Sequence, residues 1–168
     1  MNRIDETMYF DKKYNNYLEG FGMIKNNCWI GLKNIRKMVQ TKPMSLRIEL
    51  KNETASSFIE YETFYVDSEV NGFKLKIENK INGDLPDSFS YHNGAKFSTF
   101  DKSQDGNNAA CPLAYNAGWW FVDCYGFCPT CSNKLEALYK PGNWFFPPYY
   151  WGVYNDIKMY LRPQKNEI

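Results

Sequence analysis

The stretch Tyr91–Cys124, YHNGAKFSTFDKSQDGNNAACPLAYNAGWWFVDC, limits what this chain can fold into more than any other part of it. It joins a His-Asn-Gly turn, an acidic loop rich in Gly and Asn, a double tryptophan and a spaced pair of cysteines. It lacks the 3.6- or 2-residue periodicity that would organise it as one helix or one strand. Such a segment keeps a fixed shape only through turn chemistry, buried rings and crosslinks. The rings are available: aromatics make up 18% of the chain, with 13 Tyr, 12 Phe and 5 Trp. Tyr and Trp bury a large apolar body and keep a polar handle, which suits a loop-rich fold and equally a binding surface.

The N-terminal half reads differently. Phe10, Tyr14 and Tyr17 have helical spacing, which predicts a short helix over 11–19, capped by Asp11 and stopped at Gly20. A second helix is predicted over Leu32–Val39, with Ile35 and Met38 inward and Pro43 after it. MSLRIELKN (44–52), SSFIEYETFYV (56–66) and GFKLKIEN (72–79) alternate apolar and polar residues, the middle one imperfectly, as an antiparallel meander does. Beyond residue 80, Gly, Asn, Asp and Pro recur between aromatic clusters. In NWFFPPYYWGVY (143–154), Pro147 and Pro148 rule out a continuous helix. IKMYLRP (157–163) reads as a last strand that pairs into the sheet. The expected class is α+β: a short antiparallel sheet, two short helices and a loop-rich, aromatic C-terminal half. One domain is expected, with a helix/sheet subdomain over 1–80, a loop-rich subdomain over 81–156 and a closing strand over 157–163.

Several function classes drop out. The net charge is +1 with the signs interspersed, and no basic block tracks a phosphate backbone, so nucleic acid is not a partner. The densest positive stretch, Lys33–Lys42, is a solvated helix face. No apolar run approaches the ~20 residues of a membrane span. The N-terminus, MNRIDETMYF, has no apolar core of a signal peptide, although other features point outside the cell. The chain is therefore read as a processed or truncated piece, or one whose start is missing. The single histidine, His92, sits in the turn, and there is no nucleophile–base constellation and no Gly-rich phosphate loop, so no catalysis is expected.

The five cysteines are Cys28, Cys111, Cys124, Cys128 and Cys131, an odd number whose connectivity the sequence does not assign. A bridge across the short loop between Cys111 and Cys124 would stabilise by ~3 kcal/mol; the alternative is two buried thiols. Cys128-Pro129-Thr130-Cys131 has CxxC spacing, but no second pair accompanies it for zinc, and the strand-to-helix setting of a redox site is missing. It reads as a local disulfide, or as the partner of Cys28. Asn52-Glu53-Thr54 is an N-glycosylation sequon.

Taken in order, these residues resemble the fibrinogen C-terminal globular domain shared by fibrinogen chains, ficolins, tachylectins, angiopoietins and tenascins. NRIDETMYFDKKYNNYLEGFG, WIGLKNI (29–35), SYHNGAKFSTFD (90–101), the cysteines flanking GWW (118–120), Asn143-Trp144 and Met159-x-Leu161-Arg162-Pro163 each follow the family pattern. The chain begins inside that pattern, without the preceding subdomain and its Gly-Gly-Gly-Trp-Thr strand. That predicts an exposed sheet edge, open to association into a homo-oligomer.

The resemblance implies a secreted, non-catalytic recognition module of the innate-immune, lectin-like kind. Its partner would be a glycan or other acetylated ligand, the alternative being a protein receptor in an adhesion or signalling role. It implies a Cys111–Cys124 disulfide. It also implies a ligand pocket around a cis Asp123–Cys124 peptide, walled by Tyr115, Tyr125, Tyr139 and Trp144, with Tyr125 where the family usually carries histidine. The family's calcium loop falls on Ser103, Asp105, Asn107 and Ala109. Ser103 replaces a carboxylate, Asp101 is a candidate to compensate, and a weakened calcium affinity is expected because calcium prefers charged oxygen ligands. The family's usual sequence after the second cysteine is replaced by CYGFCPTCSNKLEALY (124–139), on its recognition face.

Overall fold

The computed structural model describes residues 1–5, 10–104, 110–131, 143–146 and 150–164. In chain order these form strands β1 (Asn2–Arg3), β2 (Phe21–Gly22), β3 (Cys28–Trp29), β4 (Met44–Lys51), β5 (Ser56–Val66), β6 (Leu75–Gly83), β7 (Asn143–Phe146), β8 (Tyr150–Val153) and β9 (Asp156–Pro163). The α-helices are α1 (Tyr14–Glu19), α2 (Leu32–Thr41) and α3 (Ala110–Tyr115).

The alternation in 44–52 does what period two requires: Leu46, Ile48 and Leu50 are buried on one face of β4. β4, β5 and β6 pair antiparallel in sequence order, and a register shift between Glu60 and Tyr61 accompanies the imperfect alternation of β5. β6 starts later than expected and runs past residue 80 to Gly83. β9 does not close an edge. It lies between β1 and β4 in a seven-stranded sheet of order β2-β3-β1-β9-β4-β5-β6. β4 pairs with β9 along its whole length, from Met44–Pro163 to Lys51–Asp156, whereas β1 pairs only with Ile157 and Lys158. The backbones of Met1 and Met159 add two hydrogen bonds, and beyond them no described strand covers residues 160–163 on that side. Among the described residues, that stretch of β9 is paired on the β4 side alone. Beside it an apolar cavity of about 290 Å³ is lined by Cys28, Trp29, Ile35, Met38 and Phe64 among others.

α2 presents Leu32, Ile35 and Val39 to the core, with Met38 half-buried. α1 departs from expectation at its start. It begins at Tyr14 rather than residue 11, and Asp11 is not its cap. Instead the Tyr14 amide donates to Asp101 Oδ1 at 2.9 Å, a partner 87 residues away. Gly20 ends the helix at φ +101°, and a Cβ there would lie 2.8 Å from the Trp29 carbonyl, so only glycine lets β3 approach this closely. α3 was not expected, and it corrects the count of two short helices. Pro112 sits in its first turn, where a missing N–H costs nothing. The segment with Pro147-Pro148 is a hairpin, with β7 paired to β8; the prolines themselves lie outside the described residues.

The two halves meet in a cluster of rings. Trp29 on β3 packs against Trp119 and Trp120 at 6.4 and 6.1 Å, Tyr17 on α1 against Trp29 at 5.4 Å, and Phe97 against Trp120 at 5.1 Å. Trp119 and Trp120 are fully buried, and Trp120 Nε1 donates to the Phe73 carbonyl at 2.7 Å. Each such ring pair adds about 0.5–1.5 kcal/mol beyond its burial.

Candidate functional site

The loop half is organised around His92, which ends a 3₁₀ turn at Ser90–His92 and is fully buried. Its Nε2 accepts hydrogen bonds from the backbone N–H groups of Gly126 (3.3 Å) and Phe127 (3.1 Å). Nδ1 therefore carries the proton and donates to the Trp120 carbonyl at 2.7 Å. Burial penalises the imidazolium and holds the pKa down at about 4, against an ordinary 6.5. A neutral ring thus bridges the Trp-Trp segment to the chain just after Cys124.

Cys124 is fixed from the other side by a disulfide to Cys111 on α3, with Cα atoms 5.1 Å apart. Its backbone is left-handed, at φ +55°, a conformation that costs a non-glycine residue about 1–3 kcal/mol and persists only where the surroundings impose it. Tyr115, at the end of α3, and Tyr125 meet edge-to-face with centroids 4.8 Å apart, both partly exposed. Asp123 is exposed. Four of the six expected pocket residues, Tyr115, Asp123, Cys124 and Tyr125, are thereby brought together.

Trp144 is a correction. It is fully buried, stacks on Phe127 at 4.6 Å and donates Nε1 to the Pro86 carbonyl at 3.1 Å, so it supports the loop from beneath and is no wall of an open pocket. Tyr139 lies outside the described residues. Tyr91 was missed: 48% exposed, it donates its hydroxyl to the Asp123 carbonyl at 3.3 Å. Its place directly before His92-Asn93-Gly94 was the available signal. With Val122 and Leu113, also exposed, it gives the surroundings of Cys124 an apolar character.

The metal loop is described only in part. Asp105, Asn107 and Ala109 lie outside the described residues, and Ser103 is exposed. Asp101 Oδ1 accepts from the Tyr14 amide at 2.9 Å and from Thr99 Oγ1 at 2.8 Å, which ties this carboxylate to the start of α1. Among the described residues no three His, Cys, Asp or Glu side chains cluster as metal ligands.

The CxxC is a local disulfide, Cys128–Cys131, with both cysteines buried, while Cys28 is a buried free thiol. Arg3, another residue the sequence did not single out, donates Nη1 to the carbonyls of Pro129 (2.8 Å) and Cys131 (3.1 Å) from a buried position. Thr130 Oγ1 donates to the Gly118 carbonyl at 2.8 Å. The rewritten loop is thus bolted to β1 and to the Trp-Trp segment.

Compared with known families, residues 1–164 match the model for the C-terminal globular domain of fibrinogen beta and gamma chains. Human tenascin-R is 34% identical over 165 residues, which cover 95% of this chain and 12% of tenascin-R. Techylectin-5A of Tachypleus tridentatus is 33% identical over 135 residues, 80% of this chain and 44% of that protein. The chain therefore spans less than half the length of these curated relatives. The fibrinogen-like globe domain of human ANGPTL2 aligns with a TM-score of 0.81 at 25% identity, over 96% of this chain and 77% of that one.

Proposed function

Because the chain belongs to the fibrinogen C-terminal globular domain family, we propose that it is a non-catalytic extracellular recognition module that binds acetylated sugars of glycans at the surface around Cys124. The observation that carries this is the Tyr115–Tyr125 ring pair, formed by the residue at the end of the helix that holds Cys111 and the residue that follows the left-handed, disulfide-bonded Cys124. Two partly exposed aromatic rings beside exposed Asp123 offer an apolar contact with a polar neighbour, which suits a methyl carbonyl. That one relative is a techylectin agrees with this reading. The expected result is retention on immobilised N-acetylglucosamine, competed by free acetate and weakened roughly tenfold or more by Tyr115→Ala. Failure to bind any acetylated matrix sinks it.

A second reading, a protein partner at the same surface, draws on the exposed Tyr91, Leu113 and Val122, since apolar and aromatic groups are what protein interfaces bury at their centres. Capture of a protein receptor that loses affinity in Tyr91→Ala would favour it.

Calcium at the 101–109 loop would rest on the Asp105 carboxylate, the Ser103 hydroxyl and the carbonyls of Asn107 and Ala109, with Asp101 retained by α1. One carboxylate among neutral ligands makes a weak site, and we place its dissociation constant at about 10⁻⁴–10⁻³ M, the range of extracellular modules. Calorimetric titration that finds micromolar affinity refutes this.

A further inference from the structure

We propose that Asn52 carries an N-linked glycan. Asn52-Glu53-Thr54 is the one Asn-x-Ser/Thr triplet in the chain without proline at the middle position, and the structure puts it where such a modification needs it. β4 and β5 pair as far as Lys51–Ser56, and the loop between them, 52–55, is closed by the Asn52 amide donating to the Ala55 carbonyl at 3.0 Å. Glu53, Thr54 and Ala55 are exposed and Asn52 is partly so, leaving room for a bulky, hydrated group.

The local geometry goes further than exposure. Asn52 Oδ1 accepts from the Thr54 amide (3.0 Å), the Thr54 hydroxyl (3.1 Å) and the Ala55 amide (2.8 Å). This is an Asx turn, in which an asparagine side chain replaces a backbone carbonyl. Three donors on the amide oxygen pull electron density toward it and make the Nδ2 protons more acidic, so that a base can take one and leave the nitrogen a lone pair. All three lie within three residues of Asn52, so the turn can form in an extended, freshly translocated segment before the sheet exists. In the transfer itself, Nδ2 attacks the anomeric carbon of a lipid-diphosphate-linked oligosaccharide. The C–N bond forms, the C–O bond to the diphosphate breaks, Nδ2 gives one proton to a carboxylate base of the transferring enzyme, and the lipid diphosphate leaves with the electron pair.

The proposal rests on the extracellular placement argued above, but not on what the module binds. The test is to express the full chain behind a secretion leader in insect cells and weigh the secreted protein. A mass above the bare 19.8 kDa chain, returned to that value by peptide-N-glycosidase with Asp left at position 52, is the expected result. Asn52→Gln and Thr54→Ala should each abolish the added mass, Thr54→Ser should retain it, and Glu53→Pro, which breaks the turn, should abolish it. A wild-type chain secreted at its bare mass overturns the proposal, as does a glycan that persists in Asn52→Gln. A glycosylated chain that ignores acetylated matrices supports this proposal and removes only the sugar-binding one.

Discussion

The two halves of this molecule are held together by different means. Through β4, β5, β6 and β9, backbone ladders run for up to eight paired residues, and aliphatic side chains fill the inner face. From residue 84 to 131 the described residues form no long ladder. It is pinned by fully buried rings, by a neutral histidine, by two disulfides and by side chains that satisfy main-chain groups across long sequence separations. A ladder spreads its stabilisation over many small contributions. A pinned loop concentrates it in a few residues. The candidate site lies in the second kind of structure, where backbone can be held in shapes a sheet does not allow, such as the left-handed Cys124.

If that contrast is right, single substitutions should cost much more in the loop half. Trp120→Ala removes a fully buried ring that touches Trp29, Phe64, Phe97 and Trp119. It should destabilise by about 3–5 kcal/mol in urea titration. A cost near 1 kcal/mol would break the comparison.

Next in size is the response to acid through His92. Its folded pKa, about 4, lies below the ordinary 6.5, so the native state prefers the neutral ring. The corresponding stability is fully present above pH 6.5 and is lost as pH falls toward 4, on the order of 2–3 kcal/mol. Chemical denaturation at pH 7 and pH 4 should show this loss in the wild type and a smaller one in His92→Asn. Equal losses in both would assign the effect to other groups. The smallest effect belongs to the sheet: Ile48→Val on β4 should cost only about 1 kcal/mol, with an unchanged denaturant slope. A larger loss there would mean the sheet is as brittle as the loops.

What could be read from the sequence follows the same division. Leu46, Ile48 and Leu50 announced themselves by period two because one face of a sheet buries every second residue, and the last strand was expected over 157–163, one residue short of its start. β1, β2 and β3 have two residues each, too few for a period, and no pattern reveals them. α1 was visible but its cap was not: the nearby Asp11 was the local choice, and the bond went to Asp101 because tertiary structure placed a carboxylate there. In the loop half, the order of rare residues identified the family. Exposure did not follow from it. Trp144 looked like pocket wall and is buried under Phe127, while Tyr91 passed for part of a turn and stands at the surface. Residue type says which side chains can serve either role; only packing assigns them.

The position of β9 has a consequence in time. β1 and β4 both lie before residue 52, yet the strand that lies between them is residues 156–163. Until that segment has left the ribosome the two sides of the sheet have no common partner, and the inner face of β4 has nothing to close against on one flank. Completion of the sheet therefore waits until residues 156–163 are available. During that interval the unpaired flanks of β1 and β4 are open to association with other chains.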